Sequence, residues 1–349
     1  MFIFRHGGRE ATLAIRYTRP FVQRRCASRI EIPFTPPPVP VIDSCPAPTC
    51  QCRESPSGLD IERESNIKGS MASYAEQVLI CTGKNDWKSR IEDEEDAVLV
   101  RQLKGFLTRG GKYADPYHNV LLTNVSFPSS SRQPSIAPGK DPGRATTRPP
   151  ASAFLFPSFT YLPSIPTDAS SVEAFIKAFI LPHKLHNTYD RLTREQQNIL
   201  LRQPKLQSQF TGSRPVNEIL VLICGHGGRD ERCGKLGPIL QAEFEEKLER
   251  QNIQILRDDQ DPGGDGKSPT PSARVGLISH IGGHKWAGNV ILYIPLTLQN
   301  NALAGKGIWY GRVSPENVEG IVTKTVMEGK VIKDLFRGGI DRSGETIRL

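Results

Sequence analysis

Two apolar runs that each end in metal-binding side chains constrain the fold of this chain most. Ile219–Ile223 runs into Cys224-Gly-His-Gly-Gly-Arg-Asp-Glu-Arg-Cys233, a glycine-rich C-x8-C loop. Residues 274–279 run into His280-Ile-Gly-Gly-His284, an H-x3-H turn. Neighbouring strands of a sheet hold the loops that follow them side by side. The pattern therefore predicts that two thiolates and two imidazoles meet at one edge of a sheet and hold a metal centre.

The donor set favours an iron–sulfur cluster over zinc. Two Cys and two His are the ligands of Rieske [2Fe-2S] centres, although Rieske ligands come as two C-x-H pairs. Zinc fits the H-x3-H spacing but not the C-x8-C spacing. Cys224-Gly-His226 makes His226 a rival ligand, ranked lower because a second C-x-H is missing. We therefore predict Cys224, Cys233, His280 and His284 as ligands of a [2Fe-2S] cluster, with zinc as the alternative.

The function predicted from this donor set is electron transfer or redox homeostasis, by an electron carrier or redox sensor rather than a stand-alone enzyme. Its partners are electron donor and acceptor proteins that the sequence does not identify. Neutral imidazole ligands are expected to raise the reduction potential of the cluster. A ligated imidazole can also release a proton from its other nitrogen, so the reduction potential is expected to fall as pH rises.

Two other functions remain open, namely a non-redox binding protein with a structural zinc site and a thiol–disulfide protein that uses Cys45, Cys50 and Cys52. A thiol–disulfide role for Cys224 and Cys233 is less favoured, because the C-x-x-C spacing that lowers a thiol pKa at a helix start is missing.

Charge is concentrated at the N-terminus. The chain carries +8 in total, and its first 30 residues hold seven Arg and one Glu, which leaves +2 for the remainder. This distribution argues against a nucleic-acid-binding surface on the folded part. An Arg-rich, acid-poor start is typical of mitochondrial transit segments, so we predict residues 1–31 as a targeting segment for the matrix or the intermembrane space. The sequence lacks an apolar stretch of 18 residues, and no membrane span is predicted.

The order of elements predicts an α/β protein with two related parts. A Pro- and Cys-containing linker covers residues 32–71, an N-terminal α/β domain with a disordered insertion at 127–151 covers 72–214, and a thioredoxin-like ferredoxin domain covers 215–349. In both domains a strand ending in Cys is followed by a helix and further strands. We therefore expect the first domain to be a related thioredoxin-like half without the ligands. Its helix is expected to carry the acids at 92–96 in its first turn.

Several sequence blocks resemble a known family. CGHGGRDERCGKLGP (224–238), SHIGGHKWAGNVILY (279–293) and WYGRVSPENV (309–318) are similar to signature blocks of the fungal sucrase/ferredoxin-like family. CPAPTCQC (45–52), GLDIERES (58–65) and VLICTGKNDW (78–87) resemble a mitochondrial branch of it. The resemblance implies a thioredoxin-like ferredoxin domain, a [2Fe-2S] cluster on Cys224, Cys233, His280 and His284, and a mitochondrial role in redox homeostasis.

Overall fold

A computed structural model describes residues 36–130, 149–257 and 270–349 as a mixed α/β fold. The predicted targeting segment and most of the predicted insertion lie outside these residues. The helices are α1 (Val98–Leu107), α2 (Ala169–Phe175), α3 (Arg194–Leu200), α4 (Glu231–Arg250) and α5 (Pro315–Ile321). The strands are β1 (Val41–Ile42), β2 (Glu76–Cys81), β3 (Val120–Val125), β4 (Ala151–Phe156), β5 (Thr160–Ile165), β6 (Arg214–Pro215), β7 (Ile219–Cys224), β8 (Gln254–Ile255), β9 (Ser272–Ile278), β10 (Val290–Ile294), β11 (Lys306–Tyr310), β12 (Val331–Ile332), β13 (Phe336–Ile340) and β14 (Thr346–Ile347).

One large sheet repeats the same strand order in an N-terminal half, β2–β6, and a C-terminal half, β7–β14. In the first, β2 pairs in parallel with β3 and antiparallel with β4, which pairs with β5. In the second, β7 pairs in parallel with β9 and antiparallel with β10, which pairs with β11. The halves join through Val125 and Ile278, the last residues of β3 and β9. The carboxyl ends of the parallel strands of both halves therefore meet near the middle of the sheet.

The last helix of each half also ends in the same way. Helix α2 continues as a π-helical turn over Ile176–Ile180, and α5 continues as one over Val322–Met327. Turns of this kind are rare in proteins, so their recurrence extends the repeat from the strand order to the helices.

Aromatic side chains pack one half against the other. The ring of Tyr293 on β10 stacks on Phe156 of β4 with centroids 3.7 Å apart. The Tyr293 hydroxyl donates to Gln77 Oε1 at 2.6 Å and lies 2.6 Å from the Tyr74 hydroxyl. These side chains are buried, so a satisfied polar network lies inside the apolar core.

The mixed α/β class and the predicted apolar strands are confirmed, whereas two helix starts differ from prediction. Helix α1 begins at Val98. The acids at 92–96 therefore precede it, and two of them bind Lys84 instead of the helix start. Helix α4 begins at Glu231, because Asp230 caps it by accepting the Arg232 N–H at 3.0 Å. The predicted loop from Cys224 to Cys233 is therefore wrong at its end, and Cys233 lies in the first helical turn.

Residues 36–71, here called the arm, fall in the predicted linker and lie along the C-terminal half. Strand β1 pairs in parallel with β12. Farther along, Arg312 binds Glu62 at 2.8 Å and the Arg53 guanidinium binds Glu246 at 2.8 Å. In the described ranges, the hydrogen bonds that leave the arm all end on the C-terminal half. The helices of these same ranges are too short or too polar to cross a membrane.

Candidate functional site

Two buried cysteines face each other at the centre of the sheet. Cys224 ends β7 and is 2% exposed, and its N–H donates to the Asn289 carbonyl at 2.9 Å. Cys233 comes from the first turn of α4 and is fully buried. The strand end and the helix start thus bring two thiols together that are nine residues apart in sequence.

The start of α4 packs closely on the end of β7, because a Cβ on Gly237 would lie 3.0 Å from the Cys224 carbonyl oxygen. The neighbouring Cys233 thiol and the His280 side chain hold the pKa of the Cys224 thiol well below its ordinary value, although burial acts the other way. The neighbouring Cys224, together with burial, raises the pKa of Cys233. One proton shared between two sulfurs produces this split, as it does in pairs of neighbouring acids. The pair therefore favours one thiolate, on Cys224, and one thiol, on Cys233.

His226 fastens the site to the N-terminal half and is not available as a ligand. It is 1% exposed, and its Nε2 lies 3.0 Å from the carbonyl oxygens of both Trp87 and Lys88. Its Nδ1 accepts the His280 N–H at 2.9 Å. Both ring nitrogens of His226 are thus used in holding its loop to the Trp87 loop and to the histidine turn.

The histidine turn is shaped by left-handed backbone and by its neighbours. Gly283 has φ 75°, and a Cβ there would lie 2.8 Å from the Trp286 ring, so only glycine fits. The turn brings the rings of His280 and His284 to a centroid distance of 5.5 Å. His280 is half-buried beside Cys224, whereas His284 is exposed. The structure therefore places Cys224, Cys233 and His280 near one another, whereas His284 is exposed to solvent.

Arg337 is a functional candidate that sequence reasoning missed. It sits at a bulge where β13 slips against β11, which turns the side chain inward. The guanidinium is 1% exposed and donates to Asn289 Oδ1 at 2.6 Å, to the Gly282 carbonyl at 3.1 Å, and to both oxygens of Ser70 at 3.1 Å.

Among the residues that the structure describes, the hydrogen-bond acceptors of Arg337 are all neutral, and none is a carboxylate. Burial lowers the pKa of Arg337 to about 10, while the sulfurs of Cys224 and Cys233 act in the opposite direction. A buried cation is costly without a nearby anion. Cys224 and Cys233 are the groups that act against this cost, which indicates that the guanidinium lies near the two sulfurs.

The predicted metal function is wrong. Within residues 36–130, 149–257 and 270–349, no group of three or more His, Cys, Asp or Glu side chains is arranged to hold a metal ion. This finding overturns the electron-transfer function predicted from the donor set, together with its alternative as a binding protein with a structural zinc site. The individual assignments of Cys224, Cys233, His280 and His284 as ligands, and of [2Fe-2S] or zinc as a bound group, stay predictions.

The fold and the site define a mixed α/β protein with a buried cysteine pair at the carboxyl end of its central strands. The sequence profile of the sucrase/ferredoxin-like family matches residues 67–338, and the chain belongs to this family. The resemblance seen in the sequence blocks is thereby confirmed.

Curated relatives carry the name altered inheritance of mitochondria protein 32. The protein from Meyerozyma guilliermondii is 28% identical over 86% of this chain and 95% of its own length. That from Debaryomyces hansenii is 28% identical over 86% and 96%, and that from Clavispora lusitaniae 27% over 85% and 95%. No solved structure matches the chain at a significant level.

Proposed function

We propose that Cys224 and Cys233 form a redox-active dithiol that is reversibly oxidised to a disulfide. The observation that carries this proposal is that a strand end and the first turn of the helix packed on it hold two buried thiols that act on each other's pKa. The order of β7, α4, β9, β10 and β11 supports a thioredoxin-like class for this half.

The position of Cys233 answers the objection raised by the C-x8-C spacing. A C-x-x-C motif works by placing its thiols at a helix N-terminus, where the helix dipole favours the thiolate. Here the helix start brings one thiol to another that belongs to the neighbouring strand. The His280 side chain and the Arg337 cation add two further groups that favour negative charge on sulfur.

The exchange balances with a small-molecule disulfide as oxidant. The Cys224 thiolate attacks one sulfur of the oxidant, forms a mixed disulfide and releases the first thiolate. Cys233 then gives up its proton and attacks the Cys224 sulfur, which expels the second thiolate. Two electrons pass from the protein to the oxidant, and the oxidant leaves as two thiols. The burial of both cysteines favours small oxidants over protein disulfides.

The names of the curated relatives and the Arg-rich residues 1–31 support a mitochondrial location, in the matrix or the intermembrane space. Fusion of residues 1–31 to a fluorescent protein is expected to direct it to mitochondria. A fusion in which the seven Arg are replaced by Gln is the matched control.

The dithiol is tested on the full reduced chain by titration with oxidised glutathione and peptide mass spectrometry. We expect a Cys224–Cys233 disulfide that dithiothreitol reverses. Cys233→Ser should stop at a glutathione adduct on Cys224, and Cys224→Ser should form neither product. Cys52→Ser, a half-buried cysteine of the arm, is the matched control and should leave the disulfide unchanged.

Two results would overturn the proposal. One is that Cys224 and Cys233 stay reduced in the folded chain, although both react after unfolding. The other is visible absorption of the purified protein that disappears in both Cys224→Ser and Cys233→Ser, because a coloured bound group would then occupy the two sulfurs.

A further inference from the structure

The N-terminal half has a cavity where the C-terminal half has its cysteine pair. Cys81 ends β2 as Cys224 ends β7, and each pairs in parallel with the last residue of the next strand. Beyond Cys81 the structure leaves a cavity of about 420 Å³. This volume is in the range that holds small organic ligands, and the carboxyl ends of parallel strands are where α/β sheets bind them.

Asn124 gives the cavity a buried polar group that lacks a partner. Asn124 on β3 lines the cavity and is 2% exposed. In the part of the chain that the structure describes, its Oδ1 has no hydrogen-bond partner. The backbone N–H of Asn124 does have a partner, because it donates to the Ser279 hydroxyl at 2.9 Å and so fixes the residue in place. Buried acceptors are nearly always paired in native proteins, so this oxygen calls for a donor from a bound molecule.

The other lining groups indicate an uncharged ligand with an apolar body. The Lys84 ammonium at the cavity is already paired with Glu94 and Asp96, each at 2.8 Å. The walls come from the first turn of α1 and from the buried Trp87. A charged ligand would therefore have to compete with an existing ion pair, whereas an apolar one is accommodated directly.

We propose that this cavity binds a small, uncharged molecule with a planar, apolar body and one N–H or O–H group that donates to Asn124 Oδ1. The site is independent of the dithiol proposed above, since neither Cys224 nor Cys233 lines it. A bound molecule would also contact Trp87, whose carbonyl holds His226.

Indole and 1-methylindole test the proposal, because they share an apolar body and differ in the N–H donor. Their affinities for the full chain are measured by saturation-transfer NMR titration. We expect saturable binding of indole, about three- to ten-fold tighter than that of 1-methylindole, as one net hydrogen bond contributes. Asn124→Leu should remove this preference while keeping the apolar contacts, and Val98→Trp should fill the cavity and weaken both probes.

A second cavity, of about 350 Å³ and lined by Thr297 and Leu298, supplies the matched control. Thr297→Trp should leave the binding of both probes unchanged. Equal affinity of the two probes for the unmodified chain would overturn the proposal without reference to any variant. Indole binding that survives Val98→Trp, or that is lost in Thr297→Trp, would place the probe elsewhere and overturn it as well.

Discussion

The two strand ends marked by Cys81 and Cys224 have the same place in their halves and different surroundings. Cys224 faces a second thiol from the start of α4, whereas the cavity beyond Cys81 ends on the apolar first turn of α1. The backbone arrangement therefore fixes where a site can form, and the residues that follow the strand decide its chemistry. The glycine-rich turn lets α4 approach closely, since a Cβ on Gly234 would lie 2.6 Å from Gly227 Cα, whereas the first turn of α1 lines the cavity beyond Cys81.

Arg337 is the sharpest difference between the halves, and its removal should have the largest effect. Arg337→Met deletes four hydrogen bonds and removes the donor from the buried Asn289 Oδ1 and from the half-buried oxygens of Gly282 and Ser70. We expect a loss of about 3 kcal/mol in the free energy of unfolding, measured by urea denaturation. Arg342→Met, at an exposed arginine of the same end of the chain, should change it by less than about 0.5 kcal/mol. Similar values for both variants would show that Arg337 does not hold the site.

The apolar strands and their ends were predictable, because their cause is local in sequence. A short, continuous apolar run such as Ile219–Ile223 is typical of a strand covered on both faces, and the glycines after it predict a sharp turn. The sequence blocks also predicted the family. These features carried enough information to bring Cys224, Cys233 and His280 to one place.

The predictions that proved wrong concern features that depend on contacts not visible in the local sequence. Asp230 as a helix cap changed the geometry of Cys233, and the partners of His226 lie about 140 residues away, at Trp87 and Lys88. Ligand spacing indicated which donors meet but not whether three of them surround one point. Arg337 was missed because only the bulge in β13 turns it inward.

Disrupting the contact between the loops of the two halves should have the next largest effect on the free energy of unfolding. A Cβ on Gly228 would lie 2.1 Å from the Trp87 carbonyl oxygen, so Gly228→Ala must push the loops apart. We expect a loss of about 2 kcal/mol in the free energy of unfolding. Gly105→Ala in α1 meets nothing within 4 Å and should instead stabilise by about 0.5–1 kcal/mol. If Gly228→Ala is as stable as the unmodified chain, the two strand ends are not coupled through this contact.

Weakening the contact between the arm and the C-terminal half should have the smallest effect on the free energy of unfolding, and this effect should depend on pH. Glu319 on α5 accepts the Thr49 N–H at 2.9 Å and the Thr49 hydroxyl, and hydrogen bonds from Thr49 and Cys50 lower the pKa of Glu319 to about 2. Because the folded pKa lies below the ordinary value of about 4.3, this stabilisation is complete above about pH 4.5 and is lost as pH falls towards 2.

Glu319→Gln should therefore cost about 1 kcal/mol at pH 7, a value that allows for solvent screening, and almost nothing at pH 2. Urea denaturation of both proteins across this range measures the difference, which cancels the titration of all other acids. Glu316→Gln, at an exposed glutamate of the same helix, is the matched control and should show no dependence of this kind. A Glu319→Gln deficit that stays constant from pH 7 to pH 2 would mean that the carboxylate charge does not hold the arm, and that the C-terminal half retains it by the pairing of β1 with β12.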